Sequence, residues 1–165
     1  MFRFIQRARL GTERRQHRLK VISISPFQAE DAAGLAELEK LCFSSPWSEK
    51  ELAASAALSY AVYFTARADG EIAGYAGMYI AADRGEINNI AVFPRFRRCG
   101  VASALLNALA AEGKSRGLSK LCLDVRSSNT AALYLYEKNG FYRVGLRRGY
   151  YTAPKEDAVL LDKDL

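Results

Sequence analysis

The sequence predicts an α/β (α+β) domain built on a mixed central sheet of about six to seven strands flanked by about four helices. Three observations carry that expectation. Strand-like runs alternate with segments of helical spacing, one pair of runs meets at Asp69-Gly70, and two strand-then-helix units stand together at the centre of the chain. Asp-Gly is a strong signal for an antiparallel hairpin, whereas strand-helix units set strands parallel, so the sheet must be mixed. At 165 residues the chain suits one domain with a real core rather than two.

Taken in order, Lys20 to Ser25 alternates as a first strand, and "QAEDAAGLAELEKLCF" has helical apolar spacing that ends near Cys42. Ser48 and Glu51 make a capping box, so a second helix begins at Ser48, with Pro46 and Trp47 in the preceding loop. "YAVYFTARADGEIAGYAGMYIA" supplies the hairpin and "GEINNIAV" a further strand. A long helix follows, with Val101, Leu105 and Ala108 on its apolar stripe and Lys114, Arg116 and Gly117 at its end. "LCLDVR" is another strand and "SSNTAALYLYEKNGF" a capped helix closed by Asn139-Gly140. Phe141 to Arg147 and Ala158 to Leu161 complete the strands, and "RRGYY" between them reads as turn-like.

Hydrophobic residues make up 50% and charged residues 25%, which excludes the disordered class, and no apolar run reaches the ~18 to 20 residues of a membrane helix. Of 24 Lys and Arg against 18 Asp and Glu, seven and one fall in residues 1–20, leaving seventeen of each sign elsewhere. Residues 1–19 therefore read as a basic, flexible extension ahead of one domain over 20–165. That extension could touch nucleic acid, but the rest of the chain has no net basic excess to form a binding face. It lacks the apolar centre of a secretory signal, although an Arg-rich, acid-poor segment also fits an organellar transit peptide. Cys42, Cys99 and Cys122 are odd in number and widely spaced, which suits a reducing, cytoplasmic compartment and neither a disulfide framework nor a metal knuckle. The single histidine, His17, leaves histidine-based nucleophilic and zinc sites without their usual residue.

One stretch asks for a ligand. In "PRFRRCGVASALL", Arg95, Arg97 and Arg98 crowd a helix N-terminus, where the macrodipole is already positive and cations are disfavoured. Unpaired N–H groups beside Gly100 would receive a pyrophosphate closely, and the arginines then become favourable. Neither the Gly-Lys-Ser/Thr of a phosphate-hydrolysing loop nor a three-glycine dinucleotide fingerprint is present. The alternative reading is an ordinary solvated turn.

"NNIAVFPRFRRCGVASALL" resembles the acetyl-CoA-binding motif of the GNAT superfamily of N-acetyltransferases, whose Arg/Gln-x-x-Gly-x-Gly/Ala core falls here on Arg97, Gly100 and Ala102. "LDVRSSNTAALYLYEKNGFYRVGLRRGYY" and "CFSSPWSEKEL" are similar, more narrowly, to the RimI-type family, which acetylates the N-terminal alanine of a small-subunit ribosomal protein. The resemblance spans roughly residues 20 to 165 and implies the GNAT fold, acetyl-CoA as co-substrate, no metal, and a protein N-terminus, that of a ribosomal protein, as partner. It implies that backbone at Ile90, Ala91 and Val92 pairs with the pantetheine arm. It further implies that Arg97, Arg98, Cys99, Gly100, Val101, Ala102 and Ser103 wrap the pyrophosphate and that Asn129 contacts the cofactor, a place where it also reads as a helix cap.

Acetyl transfer to an α-amine of pKa ~7.7 to 8.0 needs a base for the amine and help for the departing thiolate. The resemblance places the thiolate's acid at Tyr136, leaving Tyr134 to packing or surface. It places the base at Asp124, where the family carries glutamate. Asp124 is ~1.5 Å shorter in reach and either works through a water or pairs with Arg126 on the same strand face. Glu86 is the alternative base. Trp47, Tyr150 and Tyr151 match positions near the acceptor groove, and Gly149 stands where the family has a larger polar residue. Two other readings stay open: acetylation of a lysine or small-molecule amine, and a noncatalytic coenzyme A- or RNA-binding accessory domain.

Overall fold

The computed structural model describes residues 21–165, so the basic extension expected over 1–19 lies outside the described residues. The chain runs β1 (Ile22–Pro26), α1 (Ala32–Cys42), α2 (Glu49–Ala56), β2 (Ala61–Ala68), β3 (Glu71–Ala81), β4 (Arg84–Val92), α3 (Val101–Ser115), β5 (Lys120–Arg126), α4 (Thr130–Lys138), β6 (Tyr142–Thr152) and β7 (Lys155–Asp164). The strands form one seven-stranded sheet in the order β1-β2-β3-β4-β5-β7-β6. Among the described residues only the central β4–β5 pair is parallel; its crossover is the loop after β4 followed by α3.

Local chemistry explains most boundaries. Ser48 Oγ accepts from Glu51 N–H while Glu51 returns a bond to Ser48 N–H, so the predicted capping box starts α2 one residue after Ser48. Asp69 and Gly70 both hold positive φ, 51° and 87°, as a two-residue hairpin of the primed type requires. Helices α3 and α4 each end in a Schellman motif. Leu118 N–H reaches Gly113 C=O and Gly117 N–H reaches Lys114 C=O, and Phe141 and Gly140 do the same to Tyr136 and Glu137.

Adjacent strand residues sort into two apolar clusters on opposite faces of the sheet. Ala76 and Ile90 join the cluster under α3 and α4, whereas their neighbours Tyr75 and Ala91 join the one under α1 and α2. The stripe of α3 runs through Val101, Leu105, Leu106, Leu109 and Ala110. Ala108, expected on that stripe, is only half-buried, because the buried face drifts toward Leu109 along a 3.6-residue repeat. Each buried leucine there contributes roughly 1.5–3 kcal/mol of burial.

The last two strands depart from expectation. They extend through "RRGYY" to a turn at Ala153-Pro154, so that segment is strand and not turn. Its signal was hidden because β6 is an edge strand whose residues from Tyr142 to Arg148 are exposed, which erases the alternation of a half-buried strand. Between Arg147, opposite Ala158, and Tyr151, opposite Glu156, the ladder carries a bulge, with Gly149 at φ 60° and its N–H on Asp157 Oδ1 at 2.7 Å.

Gly77 marks the tightest approach in the sheet, since a Cβ there would stand 2.2 Å from Tyr63 Cε1. Gly77→Ala is expected to destabilise the fold by about 1–3 kcal/mol, read as a lower urea midpoint at unchanged slope.

Candidate active site

The site begins where the parallel strands part. β4 and β5 pair only from Arg84 opposite Lys120 to Glu86 opposite Cys122, and beyond that no register joins Ile87–Val92 to Leu123–Arg126. Opposite β3, Gly77 pairs with Asn89 and Met78 with Ile87, so Asn88 is the extra residue of a bulge. The bulge bends β4 away and leaves backbone along its β5-facing edge, including the Ile90–Val92 segment, without a strand among the described residues to pair with.

The loop after β4 supplies the mouth of α3. Arg98 and Gly100 hold positive φ, 64° and 88°, and Gly100, as N-cap, offers no side chain to the first amides of the helix. A Cβ at Gly100 would meet nothing nearer than Ile22 Cδ1 at 3.9 Å among the described residues, so the N-cap itself is uncrowded. The three arginines have separate fates. Arg95 pairs with Glu71 at 3.0 Å and lies over the rings of Phe93 and Phe96. Arg97 turns back, its Nε on Val92 C=O at 3.1 Å and a terminal nitrogen on Cys42 Sγ at 3.5 Å. Arg98 alone is exposed with no ion pair among the described residues. Cys99 Sγ reaches Arg97 C=O, and Ser103 Oγ accepts from Asn139 at 3.1 Å, which ties the start of α3 to the end of α4.

Helix α4 aims Tyr136 from the α3 side of the sheet. The ring is buried against Phe141, 5.6 Å between centroids, the contact that its Schellman motif brings about. Burial alone pushes its phenol well above the ordinary tyrosine range. Tyr134, two residues away, is 60% exposed. Asn129 caps the helix, its Oδ1 accepting from Ala132 N–H at 3.1 Å.

The carboxylates come from the other face. Glu86 stands opposite Tyr79 in the β3–β4 register and opposite Cys122 across the parallel pair, and Asp124 lies two residues beyond Cys122 on the same face. Asp124 is buried and accepts from Arg147 Nη1 at 3.1 Å. Its expected neighbour Arg126 is not its partner: it bonds Glu156 at 3.2 Å and the carbonyls of Ala153 and Pro154, because these groups of the β6–β7 turn surround its guanidinium. Burial raises the carboxyl pKa of Asp124, Arg147 opposes the shift, and the charge of Glu86 adds to it. Burial and the same two carboxylates, with Asp162, push the Cys122 thiol up to about 11. Tyr150 is half-buried beside Arg147, whereas Tyr151 is buried with its ring under Arg126, 4.1 Å from ring centroid to guanidinium.

A buried polar layer behind this face was not read from the sequence. Glu39, fully buried on α1, accepts from Tyr75 hydroxyl and from Trp47 N–H at 2.8 Å, and Asn89 donates to the same tyrosine at 2.8 Å. Asn88 donates to Tyr63 hydroxyl, which joins Ser55 and, through it, Tyr79. Asn88 Oδ1 is buried without a hydrogen-bond partner among the described residues. Trp47 is half-buried against the α1–α2 cluster, held by its backbone to Glu39. The legible signal was "INNIAV": two amides in succession inside an apolar strand demand buried partners.

Residues 32–141 match the acetyltransferase (GNAT) family, and the chain belongs to it. Within that family it is 36% identical over 141 residues to the [ribosomal protein bS18]-alanine N-acetyltransferase of Escherichia coli K12, covering 84% of this chain and 95% of the relative. A putative enzyme of the same description from Bacillus subtilis is 33% identical over 140 residues, covering 84% and 93%. The crystal structure of the Escherichia coli ribosomal-protein-S18-alanine N-acetyltransferase superposes with a TM-score of 0.78 at 34% identity, covering 87% of this chain and 94% of that one.

Tyr75→Phe removes the donor to a buried carboxylate and the acceptor for Asn89. It is expected to cost about 1–3 kcal/mol, measured by urea denaturation.

Proposed function

We propose that this protein transfers acetyl from acetyl-CoA to the N-terminal alanine of a small-subunit ribosomal protein by direct attack of the amine on the thioester. The observation that carries the acceptor is the 36% identity, across 84% of the chain, to an enzyme named for that substrate. The donor is supported by the open mouth of α3 and the unpaired edge of β4.

The pantetheine arm, in this reading, adds to the free edge of β4 at Ile90, Ala91 and Val92 as a further strand would. Amides from Arg98 to Ser103 receive the pyrophosphate at the α3 N-terminus, with Arg98 supplying exposed charge and Arg97 holding the loop through Val92. Asn129 caps α4 through its oxygen, and its amide nitrogen, which has no hydrogen bond among the described residues, faces the co-substrate in this reading. Trp47 and Tyr150 border the acceptor; Tyr151 serves by packing beneath Arg126.

The acceptor arrives as an ammonium for the most part, because an α-amine titrates at ~7.7 to 8.0. Asp124 takes its proton directly or through a water, Glu86 being the alternative. The freed lone pair forms the C–N bond, the nitrogen gives up its second proton to solvent, and the C–S bond breaks with its electrons on sulfur. Tyr136 stabilises that sulfur chiefly as a hydrogen-bond donor: a phenol held above its ordinary range keeps its proton against a thiolate of pKa ~8.5. Phenol and carboxylates reach the opening from opposite faces, so the thioester lies between them. We assign residues 20–165 to this one domain. We also place the enzyme in the cytoplasm, where Cys42, Cys99 and Cys122 remain free thiols; no helix among the described residues is long and apolar enough to cross a membrane.

Offered peptides beginning Ala-Arg, Met-Ala or Ser-Glu and one with an internal lysine, the enzyme is expected to acetylate the Ala-Arg α-amine, located by mass. Acetylation of the lysine instead would reassign the acceptor. Tyr136→Phe and Asp124→Asn are expected to lower kcat about 10²-fold with little change in coenzyme A affinity, and unchanged turnover in Asp124→Asn would move the base to Glu86. Gly100→Ala strains a left-handed position by about 1–2 kcal/mol and is expected to weaken coenzyme A binding roughly tenfold by calorimetry.

A further inference from the structure

The carboxylate assigned as base already carries a cation. Arg147 Nη1 sits 3.1 Å from Asp124 Oδ2, and the pair is lopsided, the arginine side chain 54% exposed and the aspartate 9%. Asp124 is fixed in β5, which β7 flanks along its length, whereas Arg147 projects from β6 at the start of its bulge. We propose that Arg147 is a resident counter-ion for Asp124, which keeps the base ionised between turnovers and yields its place to the acceptor's ammonium. This inference rests on Asp124 being the base.

The surroundings leave that task to one residue. Glu86 from β4, Cys122 on the same strand, and Arg147, Tyr150 and Tyr151 from β6 are the titratable groups that act on Asp124 or feel its charge among the described residues. Arg147 is the only cation of the five. Without it, burial and the charge of Glu86 would raise the Asp124 carboxyl further, with no cation among the described residues to oppose them. Arg126 cannot replace it, since Glu156 and two carbonyls occupy its guanidinium.

The same contact is an obstacle to catalysis. A guanidinium cannot give up its charge, and it donates to the oxygen that would otherwise meet the amine. An acceptor ammonium carries the same charge, so the exchange replaces one cation by another and leaves the electrostatic balance of the pocket unchanged. The arginine has somewhere to go. Its guanidinium carbon already lies 5.4 Å from the centre of the Tyr150 ring, and its half-exposed side chain can keep that contact while releasing Asp124. The ammonium then passes its proton to Asp124, and after loss of that proton to solvent the guanidinium returns.

The test compares wild type, Arg147→Met, Arg147→Lys and Asp124→Asn, each as the full chain, with an Ala-Arg peptide from pH 5.5 to 9. The titration of the peptide amine is common to all and gives one break in kcat/KM; the enzyme's own group gives the lower one. Arg147→Met is expected to move that lower break upward by about one unit and to lower the peptide KM above both breaks, while Arg147→Lys restores the wild-type break. A uniform fall in kcat with the lower break unmoved would reduce Arg147 to a structural role, and a raised peptide KM would make it an acceptor contact; either overturns the proposal. Should Asp124→Asn turn over at the wild-type rate, the assignment of the base fails by itself, whatever the Arg147 variants do.

Discussion

The bulge at Asn88 governs the rest of the molecule, because a sheet that would otherwise close its central pair instead parts after three residue pairs. Continued pairing would have given β4 and β5 a full set of backbone partners and a sealed sheet. Parting leaves polar backbone exposed inside an otherwise well-bonded domain, a condition that persists only if water or a ligand satisfies those groups. An extended amide-bearing chain meets that need as a strand does. The opening also lies between two faces that a closed sheet keeps apart, one carrying a phenol on α4 and the other carboxylates on β4 and β5.

Holding such an opening requires stiffness on both sides of it. On the α3 face the Schellman ends of α3 and α4, and the Asn139 bond to Ser103, set the two helices relative to each other. On the α1 face the stacked Tyr63 and Tyr75 and the amides of Asn88 and Asn89 form a hydrogen-bonded layer down to buried Glu39. Buried polar groups of this kind are stabilising only when nearly all are paired, and here pairing runs from α1 and α2 across β2 and β3 to the bulge. The bulge is thus supported from behind by the groups that its extra residue reaches.

Charge follows the same economy. Three arginines near a helix N-terminus would repel its dipole, yet two are engaged away from the amides, by Glu71 and the Phe93 and Phe96 rings and by Val92 carbonyl, and one remains exposed at the mouth. At the other end of the opening, Asp124 and Glu86 share a face, and Arg147, at the start of the β6 bulge, pairs with Asp124. Gly149 suits that bulge because its φ of 60° lies where glycine is unstrained.

The sequence by itself determined what depends on neighbours within a few residues. The capping box at Ser48 and Glu51, the Asp69-Gly70 hairpin, the glycine ends of α3 and α4, the αL position of Gly100 and the cap at Asn129 all follow from local backbone chemistry, and the motifs that mark the family lie on these same short stretches. Tertiary structure alone decided pairings between distant segments. Residues 124 and 147 meet only because β7, paired with both β5 and β6, sets those two strands one strand apart, Glu39 meets Tyr75 only because α1 lies over β3, and the length of β6 comes from its ladder with β7 and not from any alternation of its own. Local signals act through a few bonds and are written in order, whereas long-range contacts depend on which faces the folded sheet brings together.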